Sequence, residues 1–455
     1  MVKIGFSGQD ARQETYGKLE KKFNKLPPDF FSLGTDIDYY KNIYCLPEGV
    51  RHTLLGSLND VVYKENIFDL ACKEDVFRIS LLRDTGVSVV KGQYKRILTG
   101  QPQLTNFNFK YVYKEPEGVS ELSLIFQVEA ESKPSTNIHA LIGRNGVGKT
   151  TMLNDLTKII TKSQSASGCI FVGSHATKKI EDYFSSLISV SFSAFDNFNY
   201  PPDQSNSAEG VCYFHVGIKS NKAEEKSTLR DLGSIYNEFA TDIEVCFSQP
   251  ERKKRWINAI HILEADDNFS EMKLLDLLDE KTEYIKQSAV LRIKEMSSGH
   301  AIVLLTITKL VSKVGEKTLV LVDEPESHLH PPLLSAFIRS LSELLHDRNG
   351  VAIIATHSPV VIQEVPRTCV TIINRFGNSM AARRPSIETF GENVGTLTRE
   401  IFGLEVTKSG FYKLLNDSVK AGGSFESILQ EYGNQIGFEA KAILMSLISE
   451  RDRVI

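Results

Sequence analysis

The stretch Gly143-Arg144-Asn145-Gly146-Val147-Gly148-Lys149-Thr150 decides the fold class. It fits the pattern GxxxxGK[ST]. It follows a short apolar run, NIHALIG, and opens TTMLNDLTKII, whose apolar spacing predicts a helix. The glycines let successive backbone N–H groups turn inward around phosphate oxygens. A helix that starts directly afterwards adds its free N–H groups and the positive end of its dipole. Lys149 then offers a point charge to the β- and γ-phosphates of a nucleotide, and the Thr150 hydroxyl offers a ligand to Mg2+. The strand–loop–helix context separates this stretch from a chance match in a surface loop.

A second segment completes such a site. Leu319-Val320-Leu321-Val322 reads as a buried central strand, and Asp323-Glu324 sit at its C-terminal end. That edge is where ligands bind in open α/β sheets. Asp323 is expected to hold Mg2+ through water, and Glu324 to orient or deprotonate the attacking water. One helix and one strand later, VAIIATH ends in His357.

Outward from these segments, strands alternate with helices, which predicts a mostly parallel sheet and an α/β core. LTNFNFKYVY and ELSLIFQVEA alternate as half-buried strands do, and SLISVSFS and VCYFHVGI read as further strands. STLRDLGSIYNEFATDIEVCFSQ and ERKKRWINAIHILEA read as helices too short for a coiled-coil arm. Before residue 100 the pattern is mainly helical. Tyr16, Leu19 and Phe23 are spaced for a helix in ARQETYGKLEKKFNK, PPDFFSLGTD reads as a breaker, and DVFRISLLRDTG as a second helix. VSVVKGQYKRILTG reads as a short strand and a turn.

With 455 residues, 41% hydrophobic and 24% charged, the chain has globular composition and room for about three domains. A net charge of −4 argues against a globally basic nucleic-acid binder, leaving local clusters such as Arg252-Lys253-Lys254-Arg255 and Arg383-Arg384 open as DNA contacts, partner contacts or a solvated face. The six cysteines lack CxxC spacing, so a zinc ribbon or disulfide framework is not indicated. The N-terminus has no apolar signal core, and no apolar run approaches the ~20 residues of a bilayer span. These features set the expectation of a cytoplasmic protein with reduced thiols and no membrane partner.

The motifs together resemble the soluble branch of the ABC-type ATPases, which includes SMC proteins and OLD-type nucleases. Met296-Ser297-Ser298-Gly299-His300 occupies the place of that family's LSGGQ signature and departs from it at the first, third and fifth positions. The resemblance implies an ABC-type P-loop head with mixed β-sheet and helical lobe. It implies ATP and Mg2+ as ligands, with Gly143 to Thr150 and Thr151 around the phosphates and Thr150 and Asp323 on the metal. His357 stands where the family senses the γ-phosphate. Ser298 and Gly299 would cap the γ-phosphate bound by a second subunit, which makes the protein a homodimer or higher oligomer with slow turnover. Glu326-Ser327-His328-Leu329-His330 resembles the loop that crosses the dimer interface; His328 and His330 are expected to pack there rather than to hold metal. The family's glutamine after SLISVSFS is missing, and Ser193 or Asp196 stand in as substitutes.

On this basis residues 1–100 form an N-terminal, mainly helical region. Residues 101–380 form the ATPase domain, with a helical lobe inserted at about 200–295, and residues 381–455 a C-terminal helical region. DVFRISLLRDTGVSVVKGQYKRILTG, MSSGHAIVLLTITKLV and ETFGENVGTLTREIFGLEVTKSGFYKLL are similar to the PtuA ATPases of Septu and retron antiphage systems. That resemblance implies a regulatory ATPase acting with a separate HNH nuclease subunit, PtuB-like, and reaching DNA through the complex. No nuclease constellation is legible here: the acidic pattern of a Toprim domain is missing after His357, and Asp36 and Asp38 lie on the wrong side of the ATPase. A stand-alone DNA-binding ATPase of repair or maintenance and an ATP-gated scaffold are the competing readings.

Overall fold

The computed structural model describes residues 1–454 apart from 11–12, 21, 84, 100–104, 115–120, 131, 163–167, 173–179, 181–182, 192–197, 199, 218, 220–229, 282, 378 and 404–409. Its centre is a seven-stranded sheet in the order β12–β11–β5–β10–β9–β7–β8. The strands are β5 (Ile138–Gly143), β7 (Ser186–Ser191), β8 (Cys212–Gly217), β9 (Thr318–Asp323), β10 (Val351–Thr356), β11 (Val370–Phe376) and β12 (Ser379–Arg383). All neighbours are parallel except β12, which runs antiparallel to β11. Every residue of β5, β7, β9 and β10 is buried, as expected for parallel strands covered on both faces.

One face is covered by the helix that follows the phosphate loop and by a second, antiparallel sheet in the order β4–β3–β6. It comprises β3 (Phe107–Lys114), β4 (Glu121–Val128) and β6 (Cys169–Val172). Burial in β4 alternates strictly, so Leu122, Leu124 and Phe126 face inward and the intervening residues face water. They meet Met152, Leu153 and Leu156 of the loop helix, which in turn meet Leu141, Leu319, Leu321 and Ile353 of the central sheet. The loop helix is thereby sandwiched between two sheets.

The helices are α1 (Ile37–Tyr44), α2 (Glu48–Ser57), α3 (Glu65–Ala71), α4 (Val87–Val89), α5 (Lys95–Leu98), the loop helix α6 (Lys149–Ile160), α7 (Leu232–Phe247), α8 (Pro250–Leu263), α9 (Asp267–Glu271), α10 (Ile285–Lys294), α11 (Ser298–Lys313), α12 (Pro331–Asp347), α13 (Pro359–Gln363) and α14 (Val394–Phe402). Three more, α15 (Gly410–Lys420), α16 (Phe425–Glu431) and α17 (Phe438–Val454), gather around their own small core of Leu415, Val419, Ile428 and Leu444. The opposite face of the central sheet packs on α7, α8, α11 and α12. Trp256 of α8 is fully buried there, and its indole N–H donates to Thr308 of α11 at 3.0 Å.

The sequence reading of the core matches these elements, and the chain ends differ from it in instructive ways. The N-terminal region carries several short helices between residues 37 and 98 but opens with a two-stranded antiparallel sheet, β1 (Val2–Phe6) with β2 (Phe30–Gly34). PPDFFSLGTD is therefore not only a breaker: FFSL is a fully buried strand, and Asp36 then caps α1 by accepting from the Tyr39 N–H. The helix expected from Tyr16, Leu19 and Phe23 reduces, among the described residues, to a single turn at Thr15–Gly17. Tyr16 is 75% exposed, and Thr15 instead donates to the Ile4 carbonyl of β1, so tertiary bonds outweigh the helical spacing. VSVVKGQYKRILTG is helical rather than a strand and turn, because Val89, Val90, Tyr94 and Ile97 are buried at helical intervals. Downstream, β12 straddles the boundary read at 380, and Leu397 and Ile401 of α14 belong to the main core.

The N-terminal region is tied to the ATPase core by Arg255 of α8, which bridges Asp347 and Asp38 of α1. Within the core, Arg348, after α12, lies 3.2 Å from Glu316 with both side chains buried. Removing one partner of a buried pair strands the other charge, at about 3–5 kcal/mol. Arg348→Met is expected to lower unfolding stability by that amount, read as the urea midpoint; a shift no larger than that of an exposed arginine substitution would exclude a stabilising pair.

Candidate active site

Strand register builds the site. Along the central sheet Thr356 of β10 sits beside Ile142 of β5, Ala355 beside Asp323 of β9, and Ser191 of β7 beside Asp323. Four strands therefore end at one level, and the residues just past those ends converge. The phosphate loop leaves β5 there. Gly146 and Gly148 take φ of 78° and 95°, a left-handed conformation that side chains resist. Gly148 is the N-cap of α6, so the helix starts at Lys149.

Lys149 is 4% exposed. Its ammonium donates to the carbonyls of Gly143 at 3.1 Å and Arg144 at 3.2 Å, and lies 2.7 Å from His357 Nε2. Burial pushes the Lys149 ammonium down to about 8, against the pull of Glu324, Asp323 and Glu326. Thr150 donates its hydroxyl to Asp323 Oδ1 at 3.1 Å. A hydroxyl and a carboxylate meeting at the mouth of the loop are hard oxygen donors, the set that suits Mg2+ beside a phosphate. Arg144, Asn145 and Gly146 are exposed, Val147 is buried, and Thr151 is exposed on α6.

His357 Nε2 is also 3.0 Å from Glu324 Oε1, so this one ring nitrogen either accepts from the Lys149 ammonium or, when protonated, donates to the Glu324 carboxylate. Glu324 itself has φ 45°, a conformation disfavoured for any residue with a Cβ by about 1–2 kcal/mol. Its N–H donates to the Ala355 carbonyl at 2.9 Å, which fixes the turn. One residue escaped the sequence reading in its role here. Glu326 Oε1 accepts from the Thr356 hydroxyl at 2.8 Å, the Ser358 N–H at 3.1 Å and the His357 N–H. It thereby anchors the backbone that presents His357. Nothing local in DEPES marks it; its partners lie some thirty residues away.

Ser298 and Gly299 stand at the start of α11, with Ser297 as its N-cap. Ser298 is exposed. Their neighbours are the lobe and the loop containing His328 and His330: the Gly299 Cα lies so close to the His328 carbonyl that an added Cβ would come within 2.5 Å of it. His330 Nε2 pairs with Asp266 at 2.9 Å. Among the described residues no group of three or more His, Cys, Asp or Glu could hold a metal ion. Ser193 and Asp196 lie outside the described residues. Of the basic clusters, Arg255 is held by Asp347 and Asp38, Arg383 by Glu400, and Arg384 by the carbonyls of Val370 and Ile125. None of the six cysteines forms a disulfide, and Cys212, Cys246 and Cys369 are buried. Among the described residues no helix is long and apolar enough to cross a membrane.

A parallel sheet with a phosphate loop after β5, an acidic pair after β9 and a histidine after β10, flanked by an antiparallel sheet and a signature helix, defines an ABC-type P-loop ATPase. The domain family described as "AAA domain, putative AbiEii toxin, Type IV TA system" matches residues 219–363. The chain is 46% identical to protein ea59 of Escherichia phage lambda, over 99% of its own length and 89% of that protein, and it belongs to the ea59 family. Solved ATP-binding cassettes of ABC transporters overlap it more loosely. One in its ADP conformation is 13% identical, with 67% of this chain and 98% of that one covered at a TM-score of 0.34. A nucleotide-free one is 13% identical, with 65% and 95% covered at 0.32. The class rests on the strand order and the site.

The buried ammonium gives a pH signature. Lys149 is charged below about pH 8 and neutral above it. Nucleotide affinity is expected to hold steady at lower pH and to fall as pH rises through about 8. Lys149→Ala removes a charge-assisted contact of about 1.5–3 kcal/mol, so affinity drops about ten-fold or more and loses that pH dependence. Calorimetric titration from pH 6.5 to 9 checks both; an unchanged affinity in the variant would rule out the loop as the phosphate site.

Proposed function

We propose that this chain is the ATP-driven switch of a PtuA-like antiphage complex, in which two copies close around ATP and a separate HNH-type nuclease does the cutting. The observation that carries the ATPase half is the meeting of Lys149, His357 and Glu324 within hydrogen-bond reach, beside the Thr150–Asp323 pair. Lys149 and the loop N–H groups bind the β- and γ-phosphates of the substrate. Thr150 and Asp323 would hold Mg2+, which supplies neutralisation of phosphate charge. Glu324 accepts the proton of the attacking water, and His357, anchored through Glu326, orients that water and senses the γ-phosphate. Ser298 and Gly299 of a second copy close the site from the other side, and ADP and phosphate leave when it reopens.

The defence half rests on the resemblance of the three stretches quoted above and on relatives. The relative encoded by phage lambda and the toxin named in the domain family's description support a role in conflict between phages and hosts. Arg255, Arg383 and Arg384 are engaged within the chain, which supports DNA contact through a partner over a stand-alone DNA-binding ATPase.

Glu324→Gln keeps a carbonyl acceptor and removes the base. Turnover is expected to fall by about 10²–10⁴-fold while nucleotide affinity persists. Hydrolysis at the wild-type rate would assign the proton elsewhere.

The partner is tested by co-expression with the protein encoded beside this one. The expected product is a stable complex that cuts DNA at a rate altered by ATP and by Lys149→Ala. A neighbour that never copurifies, or whose cutting ignores both, would transfer the weight to the stand-alone reading.

A further inference from the structure

Asp266 lies between the lobe helices and precedes α9. Its side chain is buried, and it joins three segments distant in sequence. Oδ1 accepts from the Phe269 N–H at 3.0 Å, capping α9, and from His300 Nε2 at 3.0 Å. Oδ2 is 2.9 Å from His330 Nε2. His300 is the last residue of the signature segment, and His330 is the N-cap of α12 in the loop after the acidic pair. Asp266 and His300 are 6% and 8% exposed. Burial disfavours the Asp266 carboxylate, but the His300 and Phe269 donors and the neighbouring histidines hold it below the usual carboxylate range.

The chain of bonds continues to the surface. A carboxylate can only accept, so His300 Nε2 carries a proton, and the other ring nitrogen, Nδ1, meets the Ser297 hydroxyl at 2.6 Å. Ser297 directly precedes Ser298. On the other side Gly299 touches the His328 carbonyl so closely that no larger residue fits without movement. A buried carboxylate is a costly way to stabilise a core, since apolar residues would serve as well. What it adds is orientation: the first turn of α11 and the His328–His330 loop are locked to the lobe through one side chain.

We propose that Asp266 is a positioning residue that sets Ser298 and Gly299 for the nucleotide of a second copy, and so acts in trans to its own Lys149. This rests on the shared-site reading above, and the test separates the two. Full-length subunits with different tags are co-expressed in pairs, mixed dimers are purified, and ATPase rate and nucleotide affinity are measured. Asp266→Ala alone is expected to lower turnover by about 10²-fold, as a misplaced catalytic element does, with nucleotide affinity retained. Paired with Lys149→Ala it regains activity, because one site then has Lys149 from one subunit and an intact Asp266 from the other. Paired with Ser298→Arg it stays inactive, because both lesions lie on the same side of the exchange. Lys149→Ala with Ser298→Arg is the control and regains activity.

Recovery with Ser298→Arg but not with Lys149→Ala would place Asp266 in cis and overturn the inference while leaving the shared site standing. No recovery in the control overturns the shared site and the inference with it. Wild-type turnover in Asp266→Ala also overturns it. Should Asp266→Ala fail to fold, His300→Leu is put through the same pairings with the same expected pattern. His300→Gln, whose amide can still donate to Asp266, is expected to keep most of the activity that His300→Leu loses.

Discussion

Lys149 is buried with its charge, and the centre of this protein is arranged around that fact. An ammonium taken out of water is tolerated only where partners replace the solvent. Here two loop carbonyls and His357 do so directly, and Glu324, Asp323 and Glu326 do so through the field. The same groups are those that phosphoryl transfer requires. A site that must compensate a buried cation thus gathers the groups on which the proposed ATP hydrolysis draws.

The compensation works because the sheet delivers it. Parallel strands β5, β9 and β10 end at the same level, so the loop, the acidic pair and the histidine cannot miss one another. The two-sheet sandwich around α6 fixes the loop helix in depth. Glu324 holds a left-handed backbone conformation at the sheet edge. The N–H to Ala355 and the nearby Glu326 carboxylate, bound to three donors at the end of β10 and just beyond it, hold that turn against relaxation.

The signature segment follows a different logic. It is not folded onto the phosphate loop by strand register but held to the lobe by the His300–Asp266 bond, which Asp266 shares with His330, and packed against the His328 carbonyl at Gly299. In the dimer proposed above, a segment that meets another subunit gains from being rigid in its own chain beforehand, because ordering it at contact would cost binding energy. The departures of MSSGH from LSGGQ are intelligible in this light: the histidine at the fifth position is a buried hydrogen-bonding residue that reaches the lobe.

By itself the sequence determined the phosphate loop, the acidic pair, the histidine after β10 and the alternation of strands and helices. Each is encoded locally, by glycine spacing, by an apolar run with charges at its end, or by periodicity over a few residues. Three stretches of the N-terminal region were misread because local pattern was overruled. Tyr16 and Phe23 have helical spacing but no face to bury, FFSL is buried on both sides and so does not alternate, and Val89-Val90 look like a strand but pack as a helix. Glu326, Asp266 and the clasp of Arg348 on Glu316 were invisible for a different reason. A carboxylate's role is set by which donors surround it, and those donors come from segments thirty or more residues away. Only the tertiary structure brings them within hydrogen-bonding or ion-pairing reach, and only burial makes the encounter matter.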